Sequence, residues 1–331
     1  MGTKTQMLLG KLFLILFSMA VLLLYPGAAL SQDYPTKPIS LFIPYSPGGP
    51  TDVSGRVLAE VAQEILGQPV IVVSKPGGGG IIAQSLVAKQ KPDGYSLAVT
   101  SNRSFIQIPQ MRDVPYDPLK DFEYIFGHMG FPEGIACLSA KPWKSYKDLT
   151  AYSKQHPGKV SYGVSGKGGG SHIDVEIIQV KEGVTWQMVP FAGAAKTVAA
   201  VLGGHVDFVF QNCGIWRAHV KTGELRVLAI DKSQKGLYPD AVTFEELGLE
   251  EDGVGRSVFG ILAPKGTPAE IIKKLQEVFR KATEDKRYDT ACEKLGIFKL
   301  SLSGEELFRI MKRQYTVRGE IIKKLGLAKS K

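Results

Sequence analysis

Hydrophobic and polar residues recur along the chain in the order of strand, glycine-rich loop and helix. The first series has an apolar run at 39–45, a loop at 46–52 and a stretch at 53–66 whose apolar residues follow helical spacing. Two β-branched or apolar strands at 70–73 and 97–100 follow, with a second helical segment between them. Near-continuous apolar strands alternating with helices predict a parallel sheet that is covered by helices on both faces.

The same order returns in the second half of the chain. The pattern predicts a strand at 160–164, a glycine-rich loop at 165–171 and a helix over 172–181. Further strands and helices alternate after this helix, and the carboxyl-terminal part is dominated by amphipathic helices at 268–283 and 304–325. The sequence therefore predicts an α/β protein whose second half repeats the organisation of its first half.

The amino terminus has the pattern of a secretory signal. Lys4 and Lys11 precede an apolar run at 12–24, and small residues follow at 29–31. The run is shorter than the roughly 20 residues that a membrane-spanning helix needs. We therefore expect residues 1–31 to be a signal peptide that is cleaved after Ser31, and the mature protein to be periplasmic.

Composition and charge narrow the class of protein. The chain has 331 residues, of which 44% are hydrophobic and 22% charged, as in ordinary globular proteins with about two domains. The formal charge of +9 lies largely on the carboxyl-terminal helices, where it is typical of a solvated face, so we expect no nucleic-acid partner. The three cysteines and five histidines form no disulfide framework and no zinc pattern, so we expect no metal and no cofactor.

The two glycine-rich loops are the candidate ligand sites. Each follows the carboxyl end of a predicted strand and runs directly into a helix. Glycines there allow a tight turn, and the first N–H groups of the helix can bind an anion. The alternative is that each loop is only a helix cap, with Thr51 or Ser171 as the N-cap residue.

Motifs for nucleotide or hydrolytic chemistry are incomplete. Residues 78–83 fit the G-x-G-x-x-A pattern, but no acidic residue follows at the distance of about 20 positions that a dinucleotide site needs. Lys167 is followed by glycine rather than Ser or Thr, so there is no P-loop. Ser165 lacks the second glycine of the G-x-S-x-G motif.

Short motifs along the whole mature chain resemble the extracytoplasmic solute-binding receptors of tripartite tricarboxylate transporters, the Bug family. In chain order they are residues 34–39, 47–52 with Arg56, 66–70, 92–95, 156–159, 165–169, 202–207, 223–229 and 263–268. The resemblance implies an α/β, bilobed type 2 periplasmic-binding-protein (Venus flytrap) fold with two α/β lobes and crossover strands. It places lobe 1 at 34–132 plus 259–331 and lobe 2 at 133–258.

The same resemblance implies a binding protein without catalytic residues. Its ligand would be a small carboxylate, either a dicarboxylate, an amino acid or an aromatic acid, held in the cleft between the lobes. Its partners would be the membrane subunits of a tripartite tricarboxylate transporter, and the protein would be a monomer. Two alternatives stay open: a carboxylate-sensing receptor that feeds a signalling partner, and, less favoured, an exported serine hydrolase that uses Ser165 or Ser171.

The residues that the resemblance assigns to the ligand lie in the two glycine-rich loops, in two further loops and in the second lobe. They are Tyr45, Ser46, Gly48, Gly49, Thr51, Asp52, Ser101, Asn102, Ser165, Gly166, Gly169, Ser171, His172, Phe191, Ala192, Gly193, Asp207 and Phe210. The family commonly has tyrosine where this chain has Phe191. Loss of that hydroxyl allows a more apolar or aromatic carboxylate.

Overall fold

The computed structural model describes residues 34–329, which contain eleven β-strands and ten α-helices. The predicted signal peptide at residues 1–31 lies outside the described residues. The strands are β1 (Ile39–Ile43), β2 (Val70–Ser74), β3 (Ser96–Ser101), β4 (Phe122–Leu138), β5 (Val160–Val164), β6 (Trp186–Pro190), β7 (Phe208–Asn212), β8 (Leu225–Ile230), β9 (Val242–Thr243), β10 (Arg256–Pro264) and β11 (Phe298–Ser303). The helices are α1 (Pro50–Leu66), α2 (Ile81–Ala88), α3 (Asn102–Met111), α4 (Tyr146–Gln155), α5 (Gly170–Glu182), α6 (Ala194–Leu202), α7 (Cys213–Lys221), α8 (Ala269–Thr283), α9 (Lys286–Leu295) and α10 (Gly304–Lys324).

The strands form mixed rather than purely parallel sheets. In the first half of the fold β1 pairs in parallel with β2 and β3, and in the second half β5 pairs in parallel with β6 and β7. β10 is antiparallel to both β3 and β4, and β4 is antiparallel to β7 and β8. The predicted parallel pairing therefore holds within each β/α series, whereas the strands that run between the two halves have antiparallel neighbours.

β4 connects the two halves because it pairs in both. Pro132 is the last β4 residue that pairs with β10, opposite Arg256, and Glu133 is the first that pairs with β7, opposite Asn212. The backbone N–H of Glu133 also donates to Gly255 O at 2.8 Å, just before β10 begins. These two crossing segments join two α/β lobes, which is the bilobed periplasmic-binding-protein fold that the resemblance implies.

Each half has its own buried core, and α10 packs into both of them. Leu307 and Met311 belong to the core of the first half, whereas Ile321 and Ile322 belong to that of the second. The helix starts at a capping box in which Ser303 and Glu306 bind each other's backbone N–H groups, an arrangement that fixes a helix start. α10 therefore holds the carboxyl-terminal segment against both lobes.

None of the helices between residues 34 and 329 combines the length and the apolar character that crossing a membrane requires. The cysteines Cys137, Cys213 and Cys292 are all buried and free.

Candidate functional site

A cavity of about 930 Å³ lies where the two predicted glycine-rich loops meet. Its volume is within the range of about 300–1,000 Å³ that is usual for small-molecule sites. The residues after β1 and the residues before α5 both line it, together with one face of α3. Seven of the predicted ligand-binding residues line this cavity: Tyr45, Ser46, Gly48, Gly49, Thr51, Ser101 and Gly169.

The last two residues of the two loops have the same backbone conformation. Gly48 and Gly168 have φ angles of 79° and 76°, values that L-residues with a side chain rarely adopt. The next residue in each loop is extended and is the N-cap of the following helix: Gly49 has φ −74° and ψ 164°, and Gly169 has φ −72° and ψ 170°. The sequence similarity of the two loops thus reflects a repeated structure.

Both helices begin without a capping side chain. Because the N-cap residues are Gly49 and Gly169, no side chain among the described residues caps α1 or α5. The alternative in which Thr51 or Ser171 serves as the N-cap is therefore wrong. The first N–H groups of a helix have no partner within it, and the helix dipole makes that end positive. Each loop consequently presents an anion-binding helix end, and Thr51 and Gly170 line the cavity there.

A side chain of the following helix holds each loop in place. The N–H of Gly48 donates to Oδ2 of Asp52 at 3.0 Å, and the N–H of Gly168 donates to Nδ1 of His172 at 3.0 Å. In both cases the acceptor lies four residues after the glycine. Asp52 and His172 do not line the cavity, so their observed contacts fix the loops.

Asp52 is almost fully buried and receives further donors. Ser74 Oγ donates to its Oδ1 at 2.9 Å, and Arg56 donates from Nε at 2.9 Å and from Nη2 at 3.1 Å. Burial opposes ionisation of this carboxyl, but the hydrogen bonds from Arg56, Gly48 and Ser74 outweigh it and lower its pKa. Asp52 is therefore an ionised anchor beneath the first loop.

His172 is only 3% exposed, and its Nε2 lies 3.7 Å from Oε1 of Glu176. Burial lowers the pKa of the imidazole, the positive charge of Lys167 acts in the same direction, and Glu176 opposes both. Only a ring nitrogen that carries no proton can accept the Gly168 N–H. The bond therefore requires the neutral imidazole, which the lowered pKa favours.

Buried charges connect the cavity to both halves of the fold. Arg103 Nη2 donates to Glu133 Oε2 and to Asp174 Oδ2, each at 2.5 Å, and Arg318 Nη2 donates to Asp174 Oδ1 at 2.7 Å. Burial raises the pKa of Glu133 to about 7 although the charge of Arg103 opposes this. The network links α3, β4, α5 and α10, and Arg103 is its cavity-lining member.

The cavity also has an aromatic wall. The ring of Phe259 lies 5.3 Å from that of Phe131 and 6.1 Å from that of Tyr45, measured between centroids. Ile108 and Met111 extend this apolar surface. Such a wall fits the hydrocarbon part of a ligand, while the helix ends fit its anionic part.

The other predicted residues lie outside the cavity lining. Asn102 is buried and donates to Gln314 at 2.7 Å, while its Oδ1 accepts from the N–H of Val258 at 2.9 Å. It joins α3 to α10 and β10. Gly166 lies in the second loop and Ser171 in the first turn of α5, both outside the cavity lining, and Phe191, Ala192 and Gly193 precede α6.

Asp207 and Phe210 contact other residues of the second half of the fold. Asp207 precedes β7 and binds Lys141 Nζ at 2.5 Å and the N–H of Ser161 at 2.8 Å. Because β5 and β7 are parallel, Asp207 lies at the opposite end of the strands from Ser165. Phe210 is fully buried and packs against Phe244, with 5.7 Å between ring centroids.

Several lining residues carry no motif in the sequence. Arg103 and Gln107 lie on α3, and Phe131, Ser257 and Phe259 lie on the strands that cross between the halves. Helical spacing could have grouped Arg103, Gln107 and Met111, which are four residues apart, had the helix been predicted.

Side chains that ligate metals and side chains named for hydrolysis were also located in the fold. Within that range no three His, Cys, Asp or Glu side chains converge as metal ligands. Gln211 Nε2 donates to Ser165 Oγ, and His172 Nδ1 accepts from the N–H of Gly168.

Two α/β lobes joined by crossing strands, with a cavity at paired glycine-rich loops, define a periplasmic solute-binding protein. The chain belongs to the TctC family, described as the tripartite tricarboxylate transporter family receptor, whose profile matches residues 54–327. The resemblance noted in the sequence is thereby confirmed.

Known relatives agree with this assignment. A Cupriavidus necator protein described as a UPF0065 protein in the gbd 5' region is 35% identical over 306 residues, which cover 92% of each chain. The crystal structure of a TctC solute-binding protein from Polaromonas without ligand is 29% identical, with a TM-score of 0.80, and the match covers 88% of this chain and 99% of that one. The R. palustris protein Rpa4515, solved with adipate, is 26% identical, with a TM-score of 0.66 and coverage of 89% and 99%.

Proposed function

We propose that this protein captures a small carboxylate in the cavity and delivers it to the membrane subunits of a tripartite tricarboxylate transporter. The observation that carries the proposal is the meeting of two helix ends, α1 and α5, whose N-caps are glycines, at one cavity. Two positive helix ends without a capping side chain suit an anionic ligand.

The energetics of such a site are sufficient for a receptor. Each hydrogen bond from a backbone N–H to a carboxylate contributes about 1.5–3 kcal/mol. Three or four of them, less the cost of ordering the ligand, give micromolar affinity. The solved relative with adipate supports a carboxylate as the ligand.

Among the predicted site residues, we propose that direct ligand contacts come from the seven that line the cavity. Asp52 and His172 act on the ligand through the loops that they hold. The role of the segment 191–193, of Asp207 and of Phe210 stays a prediction.

We also propose that the two lobes comprise 34–132 plus 259–331 and 133–258, and that they close over the ligand. The change of β4 partner between Pro132 and Glu133 supports the first boundary. Cleavage of residues 1–31, a monomeric mature form and the absence of a catalytic step complete the proposal.

The test uses serine substitutions at the two N-caps. An added Cβ at Gly49 has its nearest atom at 3.5 Å and at Gly169 at 3.4 Å, so both positions accept a side chain. An N-cap serine hydroxyl accepts a hydrogen bond from the first helical turn, and so occupies the donors that the ligand would use. Gly236→Ser is the matched control, because Gly236 is exposed and an added Cβ there meets nothing within 4 Å.

We expect Gly49→Ser and Gly169→Ser each to weaken adipate binding at least about tenfold, the loss of one charge-assisted hydrogen bond. Their ligand-free thermal stability should be equal to or higher than that of the wild type, since a serine cap supports the helix. Calorimetry measures the affinity. Unchanged adipate binding in both variants, with the control also unchanged, would contradict the site assignment.

A further inference from the structure

One face of α3 carries a buried polar side chain whose donor is unused. Gln107 lines the cavity and is only 3% exposed. Its Nε2 is buried and has no hydrogen-bond partner among residues 34–329. A buried amide donor without a partner costs about 1–3 kcal/mol, so folded proteins seldom retain one without a purpose.

Arg103 lies one helical turn before Gln107, about 6 Å away along the helix axis. Its Nη2 is engaged by Glu133 and Asp174, whereas its buried Nε has no partner within the described part of the chain. Its Cδ and Nη1 would lie 2.4 and 2.6 Å from a Cβ at Gly170, the first residue of α5. The guanidinium is therefore fixed beside the helix end that the proposed carboxylate would occupy.

The charge of the residues that line the cavity determines which ligand group can accept a hydrogen bond from Gln107. Arg103 is the only charged side chain among the described residues that line the cavity, and it is already paired with the buried carboxyl groups of Glu133 and Asp174, the second of which it shares with Arg318. A second ionised group of the ligand beside Gln107 would be buried without a counter-charge, at a cost of several kcal/mol. A neutral oxygen acceptor can use the free N–H without this cost.

The rest of the cavity surface favours a hydrocarbon chain. Phe259 packs against Phe131 and Tyr45, and Met111 continues the apolar surface one turn beyond Gln107. Each buried CH₂ group of a ligand there contributes roughly 0.8 kcal/mol.

Building on the proposed function, we infer that Gln107 determines specificity by donating to an uncharged oxygen of the ligand. The ligand class that this geometry selects is a monocarboxylate whose apolar chain carries a hydroxyl or keto oxygen about one helical turn from the carboxylate. The carboxylate lies at the helix ends beside Arg103, the chain lies along the aromatic wall, and the neutral oxygen meets Gln107.

The experiment is a double-mutant cycle between a protein side chain and a ligand atom. Calorimetry compares hexanoate, 5-oxohexanoate and adipate on the wild type and on Gln107→Leu. The wild type should bind 5-oxohexanoate about tenfold more tightly than hexanoate, and Gln107→Leu should reduce that ratio to about one. Hexanoate itself should bind the variant at least as well as the wild type, and adipate should bind the wild type more weakly than 5-oxohexanoate.

Two further variants distinguish a specific effect of Gln107 from a folding defect. Gln107→Met repeats the cycle with an unbranched apolar side chain, and Gln63→Leu alters an exposed glutamine of α1 and should leave the ratio at its wild-type value. An equal preference for 5-oxohexanoate in the wild type and both Gln107 variants would overturn the assignment of Gln107. Tighter binding of adipate than of 5-oxohexanoate by the wild type would overturn the claim that the group is uncharged.

These outcomes differ from a failure of the proposed function. If one of the acids binds but the cycle shows no coupling, only the role of Gln107 is lost. If none of the three acids binds the wild type, carboxylate capture is contradicted, and the inference about Gln107 falls with it.

Discussion

Replacing Asp52 by alanine should release the first glycine-rich loop from α1. The buried carboxylate accepts from the N–H of Gly48 and from the hydroxyl of Ser74, and it also pairs with Arg56. Alanine leaves these donors without their acceptor. The loop that would bind the ligand then loses its anchor.

The expected loss follows from the four hydrogen bonds. Those from Gly48 and Ser74 to an ionised carboxylate contribute about 1.5–3 kcal/mol each. The Arg56 side chain is 53% exposed, and an exposed ion pair contributes at most about 1 kcal/mol. Asp52→Ala should therefore lower the free energy of unfolding by about 3–7 kcal/mol, and Asp52→Asn, which keeps one acceptor oxygen, by about 2 kcal/mol.

Urea denaturation at pH 7, followed by circular dichroism, measures these differences. Asp113→Ala is the matched control: its side chain is 95% exposed and pairs only at the surface, so the change should cost less than about 1 kcal/mol. A loss below about 1 kcal/mol for Asp52→Ala would refute the anchoring role.

Asp52→Asn should also change how the stability of the protein depends on pH. The folded pKa of Asp52 lies below its unfolded value, so its stabilisation is present above about pH 4 and is lost as the pH falls through the folded pKa. The difference in stability between wild type and Asp52→Asn should therefore shrink below about pH 4. A difference that stays constant down to pH 2 would contradict an ionised anchor.

His172 and Arg318 give two further tests. The pKa of His172 is lower in the folded protein than in the unfolded chain, so the imidazole of the folded protein should stay neutral to below about pH 6.5. Because the unfolded chain then binds this proton more tightly, the free energy of unfolding should decrease as the pH falls below about 6.5. In NMR, the chemical shift of the Gly168 amide should change as His172 is protonated. A Gly168 chemical shift that stays constant through this titration would contradict the hydrogen bond. Arg318→Met should lower the free energy of unfolding by about 3–5 kcal/mol, because it removes one of two guanidinium partners from the fully buried Asp174. A loss below about 1 kcal/mol in urea denaturation would mean that the network carries little stability.

The local pattern predicted most of the β/α elements. The strand at 160–164 and the helix at 268–283 match β5 and α8, because apolar spacing is a local property of the sequence. α3 was not predicted, because Ser104, Gln107 and Pro109 interrupt its apolar pattern. Arg103, Ser104 and Gln107 of that helix line the cavity.

The parts of the candidate site that consist of local backbone loops could be predicted from the sequence. The parts that consist of side chains far apart in the sequence could not. The glycines at 48–49 and 168–170 sit next to each other in the sequence, so the loops could be found from composition alone. The aromatic wall could not, because Phe131 and Phe259 come together only through the pairing of β4 with β10. The ligand contacts that the resemblance implies for Asp52 and His172 stay predictions, and the contacts observed are hydrogen bonds from the N–H groups of Gly48 and Gly168.

A crystal structure of the mature protein with bound adipate tests the central claim most directly. We predict a ligand carboxylate within hydrogen-bond distance of backbone N–H groups in the first turns of α1 and α5, at the segments that begin with Pro50 and Gly170. A ligand bound elsewhere, with both helix ends facing only water, would contradict the account.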